Sequence, residues 1–198
     1  MALVISYPAS MTVDEFYEYK FPEGKVELVR GEPRVSEPAG GPHGWVQSNL
    51  AALLLPFVNQ NRLGRVFNDG VGYVLVALPR TVRNPDLAFI RAERLPSGGL
   101  GRGFIRIAPD LAVEVLSPDE SASDLEEKLD DYRTAGTPLI WVIDPERRTV
   151  MIVSADAPVR WLRADETLDA DGIIPGFRCK VTELFEGLAS AASPGHPI

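Results

Sequence analysis

Sulfur is scarce in this chain: its 198 residues include one cysteine, Cys179. No internal disulfide can form, and thiolate metal centres are excluded. Long apolar runs are also missing. None approaches the ~18 residues of a membrane helix. The start, Met1-Ala2-Leu3-Val4-Ile5-Ser6-Tyr7-Pro8, lacks a basic flank and is too short in apolar residues for a secretory signal. A soluble, cytoplasmic protein without membrane contact is expected. Positive charge is in deficit, with 20 Lys and Arg against 28 Asp and Glu and a net charge of −8. That balance counts against generic nucleic-acid binding by the whole surface.

Hydrophobic residues make up 45% of the chain, a globular composition. The length suits one domain with a full core. We read residues 1–189 as that domain and 190–198 as a flexible tail, with no internal repeat and no dividing linker. Charge is unevenly spread. Between Arg80 and Arg106 stand Arg80, Arg83, Arg91, Arg94, Arg102 and Arg106 against only Asp86 and Glu93. Such a local excess attracts a polyanion whatever the chain's total. Arg80, Arg83, Arg102 and Arg106 are the candidates for that contact; a solvated loop is the plainer alternative.

Periodicity gives the elements. Thr12 to Tyr19 predicts a short helix with a Thr-x-x-Glu capping box. Lys25 to Ser36 predicts a hairpin. Gly40-Gly41-Pro42 predicts a break, and His43 to Arg62 a long helix ended by Gly64. Strands are expected over Arg65–Asn68, Gly72–Leu78, Leu87–Arg91, Leu111–Leu116, Leu139–Ile143, Thr149–Ser154 and Val159–Arg163. A helix from Asp124 to Ala135, capped by Ser123, separates two of them. A short helix near Thr182–Leu188 closes the fold. Gly98–Gly103, four glycines in six residues, is a loop. Strand–helix–strand from Leu111 to Ile143 implies a right-handed crossover between parallel strands. The expected fold is α/β (α+β): a mixed sheet flanked by helices, with an N-terminal hairpin and additional C-terminal strands.

Two acids and a lysine break these patterns. Glu114 stands inside Leu111-Ala112-Val113-Glu114-Val115-Leu116, a run that otherwise reads as buried strand. Asp86 precedes the strand Leu87–Arg91. If the two strands pair, the carboxylates converge, and they repel unless a cation joins them or one is protonated. Oxygen donors without thiols suit Mg²⁺ or Mn²⁺. On the helix, Leu125, Leu129, Tyr132 and Ala135 form an apolar stripe, and Lys128 falls inside it while the other charges fall outside. A lysine there is catalytic, snorkels along its stem to the stripe's edge, or simply pairs with Glu114.

These segments resemble the PD-(D/E)xK nuclease superfamily and, more closely, the Uma-two group of small bacterial proteins labelled as restriction endonucleases. The resembling stretches are Val26-Glu27-Leu28-Val29-Arg30-Gly31-Glu32, Pro42-His43, Asn84-Pro85-Asp86, Pro109-Asp110 through Ser117-Pro118, Lys128 with Tyr132, and Trp141-Val142-Ile143-Asp144-Pro145. The resemblance implies a restriction-endonuclease-like core in which Asp86 and Glu114 are the acids of the two half-motifs. The superfamily's lysine should follow two residues after Glu114, where Leu116 stands. In the resembling group a lysine on the next helix substitutes, and Lys128 matches it.

The resemblance further implies a Mg²⁺- or Mn²⁺-dependent endonuclease acting on DNA, with Asp86, Glu114 and the carbonyl of Val115 as metal ligands. Cutting both strands of a duplex needs two such sites, so a homodimer is expected, with Leu3, Val4 and Ile5 or Trp161 as its contact. Glu27 is a candidate further carboxylate, ranked above Asp110, which is a second ligand or a turn acid. His43 is a candidate general base, or a residue that caps and packs. Two alternatives stay open: a nuclease-fold binding or regulatory module without catalysis, and a metal hydrolase of a small phosphorylated substrate.

Overall fold

The structure is a computed structural model and describes residues 10–21, 24–118, 120–170 and 172–188. The sequence positions at 1–9 and 190–198 discussed above, Leu3, Val4 and Ile5 included, lie outside these. No helix among the described residues is long and apolar enough to cross a membrane.

The first helix, α1 (Val13–Glu18), is fixed by its capping box. The Glu15 N–H donates to Thr12 Oγ1, and the Thr12 N–H donates to Glu15 Oε2 at 2.8 Å. Strands β1 (Lys25–Val29) and β2 (Glu32–Ser36) form the N-terminal hairpin. Its two turn residues, Arg30 and Gly31, both take positive φ, the arrangement that matches strand twist in two-residue loops.

The long helix α2 runs Gly41–Gln60. It starts earlier than periodicity suggested because Pro42 sits in the first turn, where a missing N–H costs nothing. It also ends earlier. Gly64 is not the helix stop but opens β3 (Gly64–Asn68). A Cβ at Gly64 would lie 2.0 Å from the Ile90 carbonyl oxygen, so the close strand pairing itself demands glycine.

The expected strand at Gly72–Leu78 shrinks to β4 (Tyr73–Val74), since a turn closes with the Leu78 N–H on the Leu75 carbonyl. Then follow β5 (Val82–Arg83), β6 (Leu87–Arg91) and a 3₁₀ turn at Ala92–Arg94. Next come β7 (Leu111–Val115) and α3 (Ala122–Thr134). Ser121, not Ser123, caps α3: its Oγ accepts from the Asp124 N–H at 3.1 Å. The chain continues through β8 (Leu139–Asp144), β9 (Thr149–Ser154), β10 (Ala157–Leu162), β11 (Thr167–Asp169) and β12 (Arg178–Lys180) to α4 (Val181–Leu184). Strands β5, β11 and β12 carry too few residues to show a period.

Six strands build the main sheet in the order β10-β9-β8-β7-β6-β3. Only β7 and β8 are parallel, joined by α3 as expected; the other neighbours are antiparallel. One face packs on α2, through Val46, Leu50, Leu54 and Val58 against Leu87, Phe89, Leu111, Val113 and Trp141. The other packs on α3, through Leu129 and Tyr132 against Ala88, Ala112, Ile140 and Val142. A second sheet, β2-β1-β5-β4, rests on a smaller cluster of Met11, Phe16, Leu28, Val74 and Val82. Cys179 is buried, and burial pushes its thiol up to about 12, so it is chemically quiet.

Candidate active site

The site forms where the chain crosses between the two sheets. Strand β5 belongs to the small sheet and β6 to the large one, so Asn84-Pro85-Asp86 is the crossing itself. The Leu116 N–H donates to the Ile143 carbonyl in β8, so the Val115 N–H points the other way, toward β6. There it meets no strand carbonyl. Instead Asp86 Oδ2 accepts it at 2.7 Å, while the Asp86 N–H donates to the Val113 carbonyl. The pairing Leu87↔Val113, extended by one residue, sets Asp86 opposite Glu114.

Both acids are buried, Asp86 to 3% exposure and Glu114 to 1%. Three donors hold Asp86: the Val115 N–H, His43 with Nε2 3.0 Å from Oδ2, and Lys25 with Nζ 2.6 Å from Oδ1. Burial works to raise its carboxyl, but the His43 hydrogen bond and the charge of Lys25 outweigh it and hold the group well below the usual range. Glu114 is held from α3. Tyr132 Oη donates to Oε1 at 2.7 Å, and Lys128 Nζ to Oε2 at 3.1 Å. Burial raises the Glu114 carboxyl, with the ammonium groups of Lys128 and Lys25 opposing. Both lysines are half-buried, which works against their charge, but Glu114 and their other acidic neighbours outweigh it and hold them above the ordinary lysine range.

Asp86, Glu114 and Lys128 are thus brought to one end of β7. Lys128 lies inside the α3 stripe and is shared between Glu114 and Glu120, the latter at 2.7 Å. His43, on the first turn of α2, joins them through Asp86; its Nδ1 is buried without a protein partner. Val115 contributes its N–H to Asp86.

Other expected residues are placed elsewhere or otherwise engaged. Glu27 is adjacent but engaged through both oxygens: its Oε2 accepts from Arg83 Nη1 and its Oε1 from the Asn84 N–H, each at 2.8 Å. Asp110 sits at the opposite end of β7, where it accepts from the Arg91 N–H and from Arg94. It closes the β6–β7 connection and is remote from Glu114. Arg83 is 2% exposed and locked between Glu27 and Asp131, so a nucleic acid cannot reach it. Arg80, Arg102 and Arg106 are exposed; Arg80 bonds Ser10 and Arg106 pairs with Asp14.

Lys25 is the residue that periodicity passed over. It shares a hairpin face with Glu27 two positions on, and that alternation was the available signal. Asp131 departs from its place on the helical wheel: it lies outside the stripe, yet it is buried, because Arg83 of β5 and Arg30 of the β1–β2 turn come down onto it.

Hard oxygen donors suit a small divalent ion. Among the described residues no group of three or more His, Cys, Asp or Glu side chains converges on one point. Mg²⁺, however, is commonly held by one or two carboxylates, with water and phosphate completing the shell. Asp86 and Glu114 meet that minimum. Asp86 Oδ2 is committed to His43 and Val115, so Oδ1 is the oxygen left for a cation.

Comparison with solved structures finds the same architecture in the "putative nuclease belonging to DUF820" from Anabaena variabilis ATCC 29413. The TM-score is 0.78 over 88% of this chain and 97% of that one. At 23% identity the likeness carries the fold alone: a mixed sheet flanked by helices, as the sequence led us to expect. No curated protein matches the chain. The model of the Uma2 family, described as "Putative restriction endonuclease", matches residues 13–182, and the chain belongs to that family.

Proposed function

We propose that this protein is a divalent-metal-dependent endonuclease that hydrolyses phosphodiester bonds in DNA. The observation that carries the reading is the pair of buried acids set across from one another at the end of β6 and β7, with Lys128 beside them. Restriction-endonuclease-like families generally use divalent metals. Asp86 Oδ1 and a Glu114 oxygen would hold the ion, Mg²⁺ or Mn²⁺, with the Val115 carbonyl as a candidate third donor. Bound there, such an ion supplies Lewis acidity and lowers the pKa of a water.

The chain's own residues do the rest. His43 and the Val115 N–H fix the orientation of Asp86. Tyr132 fixes Glu114. Lys128, 16% exposed at the mouth of the site, presents a preorganised ammonium to the charge that develops on a phosphate. Exposed Arg80, Arg102 and Arg106 would meet the DNA backbone and set register without reading sequence.

The test is cleavage of supercoiled plasmid with Mg²⁺ or Mn²⁺ by the wild type, Asp86→Asn and Glu114→Gln. Cutting by the wild type is expected, with each variant reduced by at least ~10²-fold. A wild type that binds the metal and DNA yet cuts nothing would favour a binding module. Leu116 at the usual lysine position, and a lysine on each carboxylate, support that second reading.

Cutting both strands of a duplex calls for two such sites, so we read the assembly as a symmetric dimer. Trp161, 58% exposed on the edge strand β10, is its candidate contact. Light scattering at high concentration should give about twice the 21.6 kDa chain mass; a purely monomeric species rejects the dimer.

A further inference from the structure

We propose that Lys25 is an exchangeable stand-in for the metal: it holds Asp86 in the metal-free protein and passes to Asp69 when a divalent cation binds. The inference rests on the reading of Asp86 and Glu114 as a metal centre.

Lys25 Nζ lies 2.6 Å from Asp86 Oδ1, the carboxylate oxygen that His43 and Val115 leave open. It therefore occupies the position an incoming cation must take. The same nitrogen is already 3.6 Å from Asp69 Oδ1. The two acids differ sharply in exposure. The Asp86 side chain is 4% exposed and that of Asp69 44%, so the move carries the ammonium from the interior to the rim. Its backbone is pinned as the first residue of β1, paired with Ser36, so only the flexible side chain has to move.

Space and local repulsion call for the exchange. The Lys25 ammonium 2.6 Å from Asp86 Oδ1 and a divalent cation on that oxygen would crowd each other, and two like charges at such range repel strongly where water is largely excluded. Lys128 is the worse candidate to leave. Both of its acceptors, Glu114 and Glu120, are largely buried, with side chains 1% and 13% exposed. After Lys25 departs, Asp86 keeps its two remaining donors on Oδ2 and so keeps its orientation.

The experiment is a double-mutant cycle read as Mn²⁺ affinity by titration calorimetry, with no DNA present. The proteins are the wild type, Lys25→Met, Asp69→Asn, the double variant, and Asp86→Asn as a control. Lys25→Met should bind Mn²⁺ about tenfold tighter or more, because the competitor is gone. Asp69→Asn should weaken binding severalfold, because Lys25 has nowhere to go. In the Lys25→Met background the same Asp69→Asn change should have almost no effect.

An equal loss in both backgrounds would show that Asp69 acts only through its charge and would overturn the exchange, as would unchanged or weaker binding by Lys25→Met. Either result with wild-type binding abolished by Asp86→Asn leaves the metal-centre reading standing and removes only the inference. Binding that survives Asp86→Asn, or no binding by the wild type and Lys25→Met alike, removes both. Far-UV circular dichroism checks each fold, and Lys25→Gln, a shorter neutral donor, replaces Met if the latter fails to fold.

Discussion

Lys128→Met should leave a folded, metal-binding protein whose cleavage of DNA falls about 10²- to 10³-fold, the usual effect of deleting one preorganised charge from a transition state. The substitution is chosen for its packing. Met fits beside Leu129 and Tyr132 on the buried face of α3 and barely changes helix propensity. Two effects compete. Losing the ammonium removes a partner from Glu114 and from Glu120. Breaking a buried pair can cost ~3–5 kcal/mol. Here the cost is capped. Glu114 keeps the Tyr132 hydroxyl at 2.7 Å, and its carboxyl is already raised by burial, so it can take up a proton instead of standing as a bare charge. Thermal unfolding beside single-turnover plasmid cleavage separates the roles. A lower melting temperature with unchanged cleavage per folded molecule would make Lys128 a structural counter-ion and nothing more.

What could be read from the residues alone was whatever a local period exposes. The strand Leu111–Val115 betrays Glu114 because one acid interrupts a continuous apolar run, and α3 betrays Lys128 because one charge falls in its stripe. The crossover joining β7 and β8 followed from strand, helix and strand in order. Two-residue strands such as β4 and β5 have no period to detect, and β5 carries Arg83 and leads directly into the crossing that holds Asp86. Lys25 stayed hidden for a different reason. Its role comes from a contact 61 positions away, and a lysine opening a hairpin reads as solvated. The same holds for Asp131, whose burial depends on Arg30 and Arg83 arriving from another sheet. Arginine counts misled in the opposite direction: Arg83 belongs to a locally positive stretch, yet its charge is consumed inside the molecule.

That buried arginine carries the largest expected effect on stability. Arg83 Nε and Nη2 reach Asp131 Oδ2 at 2.8 and 2.6 Å, while Nη1 reaches Glu27 Oε2 at 2.8 Å. One guanidinium thus ties β5 to β1 and to α3. Arg83→Met keeps the length and removes the charge. Among the described residues, Glu27 would retain the Asn84 N–H, and Asp131 would retain Arg30 from outside its helix. Two buried carboxylates left short of partners should cost ~3–5 kcal/mol, a large part of the ~5–15 kcal/mol that holds a domain together. Urea unfolding should show the loss as a lower midpoint at unchanged slope. Adding Glu27→Gln and Asp131→Asn should restore much of it, because neutral amides do not need the guanidinium. A loss of less than about 1 kcal/mol in the single variant, taken from the midpoint shift at unchanged slope, would mean that the triad contributes no more than an exposed pair. Activity should fall with stability in this variant. Glu27 grips the backbone of Asn84, two residues before Asp86, so a network built for stability also sets where the first acid of the site stands.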